Sequence, residues 1–146
     1  MIERIEHGSK ELALIVRRSF RTEGIEFFTP GSYSQQLGYM NRSAGHVIEP
    51  HVHRPVTREV QFTKEVLFIR SGRVRVDFYS EQQEYLRSSI LETGDVILLA
   101  FGGHGFEMLE PTEIIEVKQG PYAGDQDKIR FEAVDIASII TPDQKD

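Results

Sequence analysis

Between Lys64 and Phe78 the chain alternates with a period of two, and no other feature restricts the fold as much. Glu65, Leu67 and Ile69 fall on one side of an extended chain, and Val66 and Phe68 fall on the other. After Ser71 and Gly72, Val74, Val76 and Phe78 alternate with Arg73, Arg75 and Asp77. That period belongs to a strand with one buried face, whereas a helix repeats every 3.6 residues or so. Further short extended segments are expected at Leu12–Val16, Gly24–Phe28, Gln35–Asn41, Tyr85–Leu91, Val96–Leu99 and Glu113–Gln119. Thr29-Pro30-Gly31, the polar run Ser80 to Glu84, Thr93-Gly94-Asp95 and Gly120-Pro121 punctuate them as turns. No long amphipathic helix interrupts the series, so the expected class is an all-β sandwich or barrel.

At 146 residues the chain suits one domain with a real core. Residues 1–124 are expected to form the β-barrel. Residues 125–146 are expected to form a C-terminal tail of the same domain, with Ile129–Phe131 extended and Val134–Ile140 a short helix or arm. A formal charge of −6 and a pI near 5.4 argue against a nucleic-acid partner or an anionic membrane surface, both of which want a basic stripe. No helix-turn-helix pattern is present. With no cysteine, the chain offers no disulfide, thiolate nucleophile or thiolate metal ligand. The apolar run Leu12–Val16 is too short for a signal-peptide core or a membrane span, and a cytoplasmic location is expected.

The chemistry-bearing stretch is Gly45-His46-Val47-Ile48-Glu49-Pro50-His51-Val52-His53. If Gly45 begins a strand, His51 and His53 project from one face of it. Two such imidazoles bind one metal ion if a carboxylate and a further donor approach from neighbouring strands. Pro50 and Pro55 donate no ladder hydrogen bond and place this strand at an edge or rim. Glu59 and Glu65 are the carboxylates in range. Glu65 is preferred because it opens a clear strand and Gly72 follows it in step. His104 sits in a flexible loop, Gly102-Gly103-His104-Gly105. Standing alone, His51 and His53 also read as two surface histidines on a polar strand face. His7 and His46 fit no pattern and are expected to be exposed.

Gly45-x5-His51-x-His53 followed by Glu65-x6-Gly72 resembles the first motif of the cupin superfamily. Gly94, Gly102 and His104 follow the second motif, with Ala100 at its proline position, His104 one residue early and Met108 where asparagine is common. Eleven residues, Arg54 to Lys64, separate His53 from Glu65, a longer inter-strand loop than that family usually has. The resemblance spans roughly residues 35–120 and implies a jelly-roll barrel with a metal in its mouth. It implies His51, His53, Glu65 and His104 as ligands of a divalent transition metal: iron, manganese, nickel, cobalt or zinc. It is also similar to small cupins found among bacterial sugar and surface-polysaccharide genes.

Glu116 and Lys118 share one face of the last strand and are the candidate acid–base or anchoring groups, if that face points inward rather than to solvent. Tyr39, Arg58, Gln61 and Tyr122 are further candidates near the mouth, and Lys64, Arg70, Arg73 and Arg75 are expected on an outer face. The leading expectation is a metal-dependent isomerase or epimerase acting on a small polar molecule such as a sugar derivative. A non-haem iron dioxygenase and a non-catalytic binding module are the alternatives. Edge strands that need covering imply a homodimer.

Overall fold

The computed structural model describes residues 1–142, and within them the chain is all-β and antiparallel. Ten strands form: β1 (Ile2–His7), β2 (Lys10–Val16), β3 (Gly24–Phe27), β4 (Gly38–Asn41), β5 (Glu65–Ser71), β6 (Arg73–Tyr79), β7 (Tyr85–Glu92), β8 (Val96–Leu99), β9 (Gly103–Met108) and β10 (Glu113–Lys118). One sheet runs β1-β2-β8-β5-β10, a second runs β7-β6-β9, and β3 pairs with β4 separately. No helix among the described residues is long and apolar enough to cross a membrane.

The two larger sheets share a core. Leu12, Ile15, Leu67, Ile69, Ile97 and Leu99 from the first meet Val74, Val76, Phe78 and Leu91 from the second. β2 and β8 are buried on both faces, which is why they read as continuous apolar runs instead of alternating. Their other faces, Leu14, Val16 and Leu98, pack with Phe28 under an outer layer containing Phe20, Tyr33, Leu37 and Tyr39. Tyr39 therefore belongs to this outer layer, edge-on to Phe20 at 5.2 Å, and not to the mouth where sequence placed it.

β5 and β6 do not pair with each other, although one residue separates them. Gly72 turns the chain from one sheet into the other, with φ at 86°. A side chain there would bring Cβ within 2.3 Å of the Pro111 carbonyl oxygen. Both the left-handed backbone and the close approach require glycine. The start of β8, at the corner end, is fixed by charge. The buried Asp95 accepts hydrogen bonds from Arg17 Nη1 (2.9 Å), the Arg18 amide (2.8 Å) and the Glu92 amide (3.0 Å), and Arg17 Nη2 also pairs with Glu3. These bonds satisfy a carboxylate that would otherwise be costly to bury.

Four expectations need correction. The strand expected from Gly45 through His53 does not form: residues 41–62 are exposed throughout, and 42–64 contain no strand. Pro50 and Pro55 withhold ladder donors, and among the described residues no strand comes alongside. Conversely, the glycine-rich loop expected around His104 is strand β9, because hydrogen bonding to β6 overrides the poor strand propensity of Gly103 and Gly105. Lys64 is not on an outer solvated face. It is buried, with Nζ 5.2 Å and 4.9 Å from the ring centres of Tyr33 and Phe101, and this burial lowers its pKa. Arg75 likewise is drawn into a bidentate pair with the buried Asp77. Strand β1 was not anticipated, since Ile5 is its one deeply buried residue.

Beyond β10 the chain forms short 3-10 turns at Gly124–Asp127 and Ile136–Ser138, and Ile129–Phe131 joins no strand. It folds back on its own sheets. The Val134 amide donates to Tyr79 Oη (3.0 Å), the Ile140 amide donates to Tyr85 Oη (2.8 Å), and the Ser88 amide donates to the Ile140 carbonyl (2.8 Å). The last four residues of the expected tail, 143–146, lie outside the described residues.

Replacing Gly72 tests the corner directly. Gly72→Ala is expected to cost at least about 2 kcal/mol through left-handed strain and overlap with Pro111. Urea denaturation should show a lower midpoint at unchanged slope, and a midpoint equal to the parent's would refute the close approach.

Candidate functional site

Glu65 opens β5 between Leu99 on β8 and Lys118 on β10, so its side chain shares the inward face with Leu67 and Ile69. It is buried, at 7% exposure. His104 enters from the opposite sheet: it lies beside Phe78 on β9, and the inward side chains of Phe78, Val76 and Val74 fix the direction of His104, Phe106 and Met108. Gly102 makes that entry possible. With φ at 72°, any Cβ there would sit 2.4 Å from the Tyr79 carbonyl oxygen.

The result is a contact between sheets. His104 Nε2 lies 3.2 Å from Glu65 Oε2. The hydrogen bond from His104 holds the Glu65 carboxyl below the usual carboxylate value. Burial opposes this shift, and the positive charges of His104, Lys128 and Lys118 add to it. The pair stands at an open cavity of about 1060 Å³ whose wall includes Leu67, Tyr79, Phe106 and Glu116.

Glu116 lies opposite Leu67 and Lys118 opposite Glu65, so both occupy the inward face of β10, while Ile115 and Val117 point outward. Both charged side chains remain solvent-accessible because β10 is an edge strand. Lys118 lines a smaller adjoining space of about 360 Å³ with Tyr122 and Arg130, and Gln61 borders both spaces. Arg58 is exposed in the irregular 42–64 segment, as are His46 and, on β1, His7.

His51 and His53 are not part of this assembly. They sit in the exposed segment with ring centres 5.3 Å apart. His51 Nδ1 is 2.9 Å from the Glu49 carbonyl oxygen. A carbonyl only accepts, so Nδ1 is the donor in this contact and Nε2 is left facing away from it. Glu59 is in the same segment, bonded to Gln61 Nε2 at 3.3 Å, so Glu65 and not Glu59 is the carboxylate beside His104. Among the described residues no three His, Cys, Asp or Glu side chains gather as a metal cage. The four expected ligands form two pairs, one at the cavity and one on the exposed 42–62 segment, which stands out as an arm.

The donor chemistry of the cavity pair suits a divalent ion. Its 3.2 Å spacing matches two adjacent donors on one octahedral ion with bonds of about 2.1 Å. Two protein donors are too few to hold such an ion firmly. Sequence reasoning overlooked Phe106 and Tyr79. Phe106 was legible as the residue two beyond His104, but Tyr79 was not, because the register slips between Phe78 and Tyr79 and breaks the alternation. Comparison with protein-family models, with curated proteins and with solved structures returns no significant match.

A lowered carboxylate pKa in the folded state means stability that is present above the unfolded value, 4.5, and lost as pH falls through the folded value. In chelator-treated protein, Glu65→Gln should cost about 1.5–3 kcal/mol at pH 7, the range for hydrogen bonds to charged groups. That cost should shrink as the pH is lowered from 4.5. Denaturant titrations of parent and variant check this, and a cost independent of pH would refute the charged hydrogen bond.

Proposed function

We propose that this chain is a cupin-type, metal-binding protein whose cavity takes a small polar molecule, such as a sugar or sugar derivative, and isomerises or epimerises it by proton transfer. The observation that carries this reading is the Glu65–His104 contact at the cavity, with Glu116 on the same inward wall. In this reading Glu65 and His104 would hold the metal together with His51 and His53, once the exposed segment brings those two to the cavity, and the ion would supply a Lewis acid for a substrate oxygen.

The chain's own residues do the rest. The Glu116 carboxylate accepts a proton from carbon next to a carbonyl and returns it to the other face or to the neighbouring carbon. The ammonium group of Lys118 offsets negative charge near Glu65 and anchors an acidic or hydroxyl substituent. Phe106 and Tyr79 supply apolar wall against which a ring can lie.

A second reading, a ligand-holding module without catalysis, is favoured by one observation: among the described residues the cavity gathers two of the four expected metal donors. Elemental analysis of the untagged protein is the deciding measurement. Near-stoichiometric divalent metal is expected, lost in both Glu65→Ala and His51→Ala. Glu116→Gln should keep the metal but lose substrate-dependent deuterium incorporation from heavy water. Tight binding of an unchanged ligand by the metal-free protein would instead establish the module. Iron together with oxygen consumption would replace isomerisation by a dioxygenase.

A further inference from the structure

Two features of the molecule are incomplete in the same way. The segment 42–62 is exposed along its whole length, yet it carries Val47, Ile48, Val52 and Val56 at 54% to 89% exposure. Apolar side chains on an irregular segment of this length mark a functional or partner-binding element more often than an idle loop. Strand β9, for its part, hydrogen-bonds to β6 along one edge and, among the described residues, to no strand along the other. Its inward side chains Phe106 and Met108 are left 37% and 51% exposed beside the cavity.

We infer that segment 42–62 of one copy of this chain lies along the free edge of β9 in a second copy, placing His51 and His53 beside the second copy's Glu65 and His104. The inference rests on the metal-site reading above and names what completes that site. Charge supports the pairing: the segment holds three arginines against two glutamates, whereas residues 103–118, β9 through β10, hold four glutamates against one lysine. Chemistry supports it too. The arm carries two imidazoles and the cavity a carboxylate and an imidazole, two halves of one donor set.

The geometry permits exchange. The arm is tied at both ends, at Asn41 on β4 and at Thr63, whose hydroxyl bonds Asp127. Going out and back, it reaches about 30 Å, the width of a small domain. In the single chain it leaves its own β9 uncovered. Two copies exchanging arms about a two-fold axis form a closed dimer that covers both edges and builds two identical sites.

The absence of native cysteine gives a direct test. Val52, between the two histidines, would face away from the cavity, as do Gly105 and Glu107 on β9. A Cβ at Gly105 meets nothing closer than Tyr79 at 3.9 Å. Full-length Val52→Cys/Gly105→Cys and Val52→Cys/Glu107→Cys are oxidised mildly, separated without reductant and digested for mass spectrometry. A disulfide-linked dimer whose peptides join position 52 to 105 or 107 is expected in at least one of the two. A disulfide within one chain, free thiols in both, or any other linkage overturns the exchange.

A second arm uses metal. His51→Ala/His53→Ala and Glu65→Ala/His104→Ala are co-expressed with different tags, and the mixed dimer is isolated. Each variant alone should bind no metal, and the mixed dimer should recover about one ion per dimer, because one of its two sites draws both intact halves. No recovery while the parent protein is loaded means each chain completes its own site. Cross-linking at the expected positions in a parent protein that binds no metal would keep the exchange and remove the metal reading.

Discussion

The arrangement depends on a corner one residue wide. Because Gly72 carries the chain from β5 in one sheet directly into β6 in the other, the two sheets must face each other. The inward residues of β5 and β6 then become opposite walls of one core. Leu67 and Ile69 meet Val74 and Val76 there, and the apolar area removed from water supplies most of the driving force. The close passage of the Pro111 carbonyl ties the β9–β10 connection to the same corner, so β9 and β10 also take their positions from it.

Everything at the cavity is a consequence of distance from that corner. Near Gly72 the sheets are closed by apolar side chains. At the other end of β5 the walls part, and Glu65 is held buried but reachable by His104 across the gap. The cost of burying the carboxylate is offset by His104 and by the nearby lysines, which draw its pKa down. Asp95, buried near the corner end of β8, is fully engaged by Arg17 and backbone amides. Two buried carboxylates thus have different fates: Asp95 is enclosed by its partners, while Glu65 faces an open space with one close partner and keeps coordinating capacity.

The outer layer explains what stays uncovered. Residues 20–39 pack over Leu14, Leu98 and Val66, so the first sheet is covered on its outer face near β2 and β8. The C-terminal segment covers the edge of β7 through Ser88 and Ile140. Phe131 of that segment also packs at Gly103, the start of β9, but among the described residues no strand pairs with the outer edges of β9 and β10, which flank the cavity. The open side of the molecule and the side that carries the candidate site therefore coincide.

How much of this was legible in the sequence follows from which interactions are local. Period-two alternation located β5 and β6, the polar hairpin tip at Ser80 to Glu84 located β7, and continuous apolar runs located β2 and β8, because burial on one or two faces writes itself into neighbouring residues. The identity of Glu65 as an inward carboxylate followed from its phase with Leu67 and Ile69, and the shared face of Glu116 and Lys118 followed in the same way. Tertiary structure decided the rest. Whether Gly103-His104-Gly105 is loop or strand depends on β6 lying alongside, and whether His51 and His53 sit on a strand depends on an edge that no described strand brings to them. Alternation records which side of a residue is buried. It carries no information about which edge, or which copy, supplies the missing hydrogen bonds.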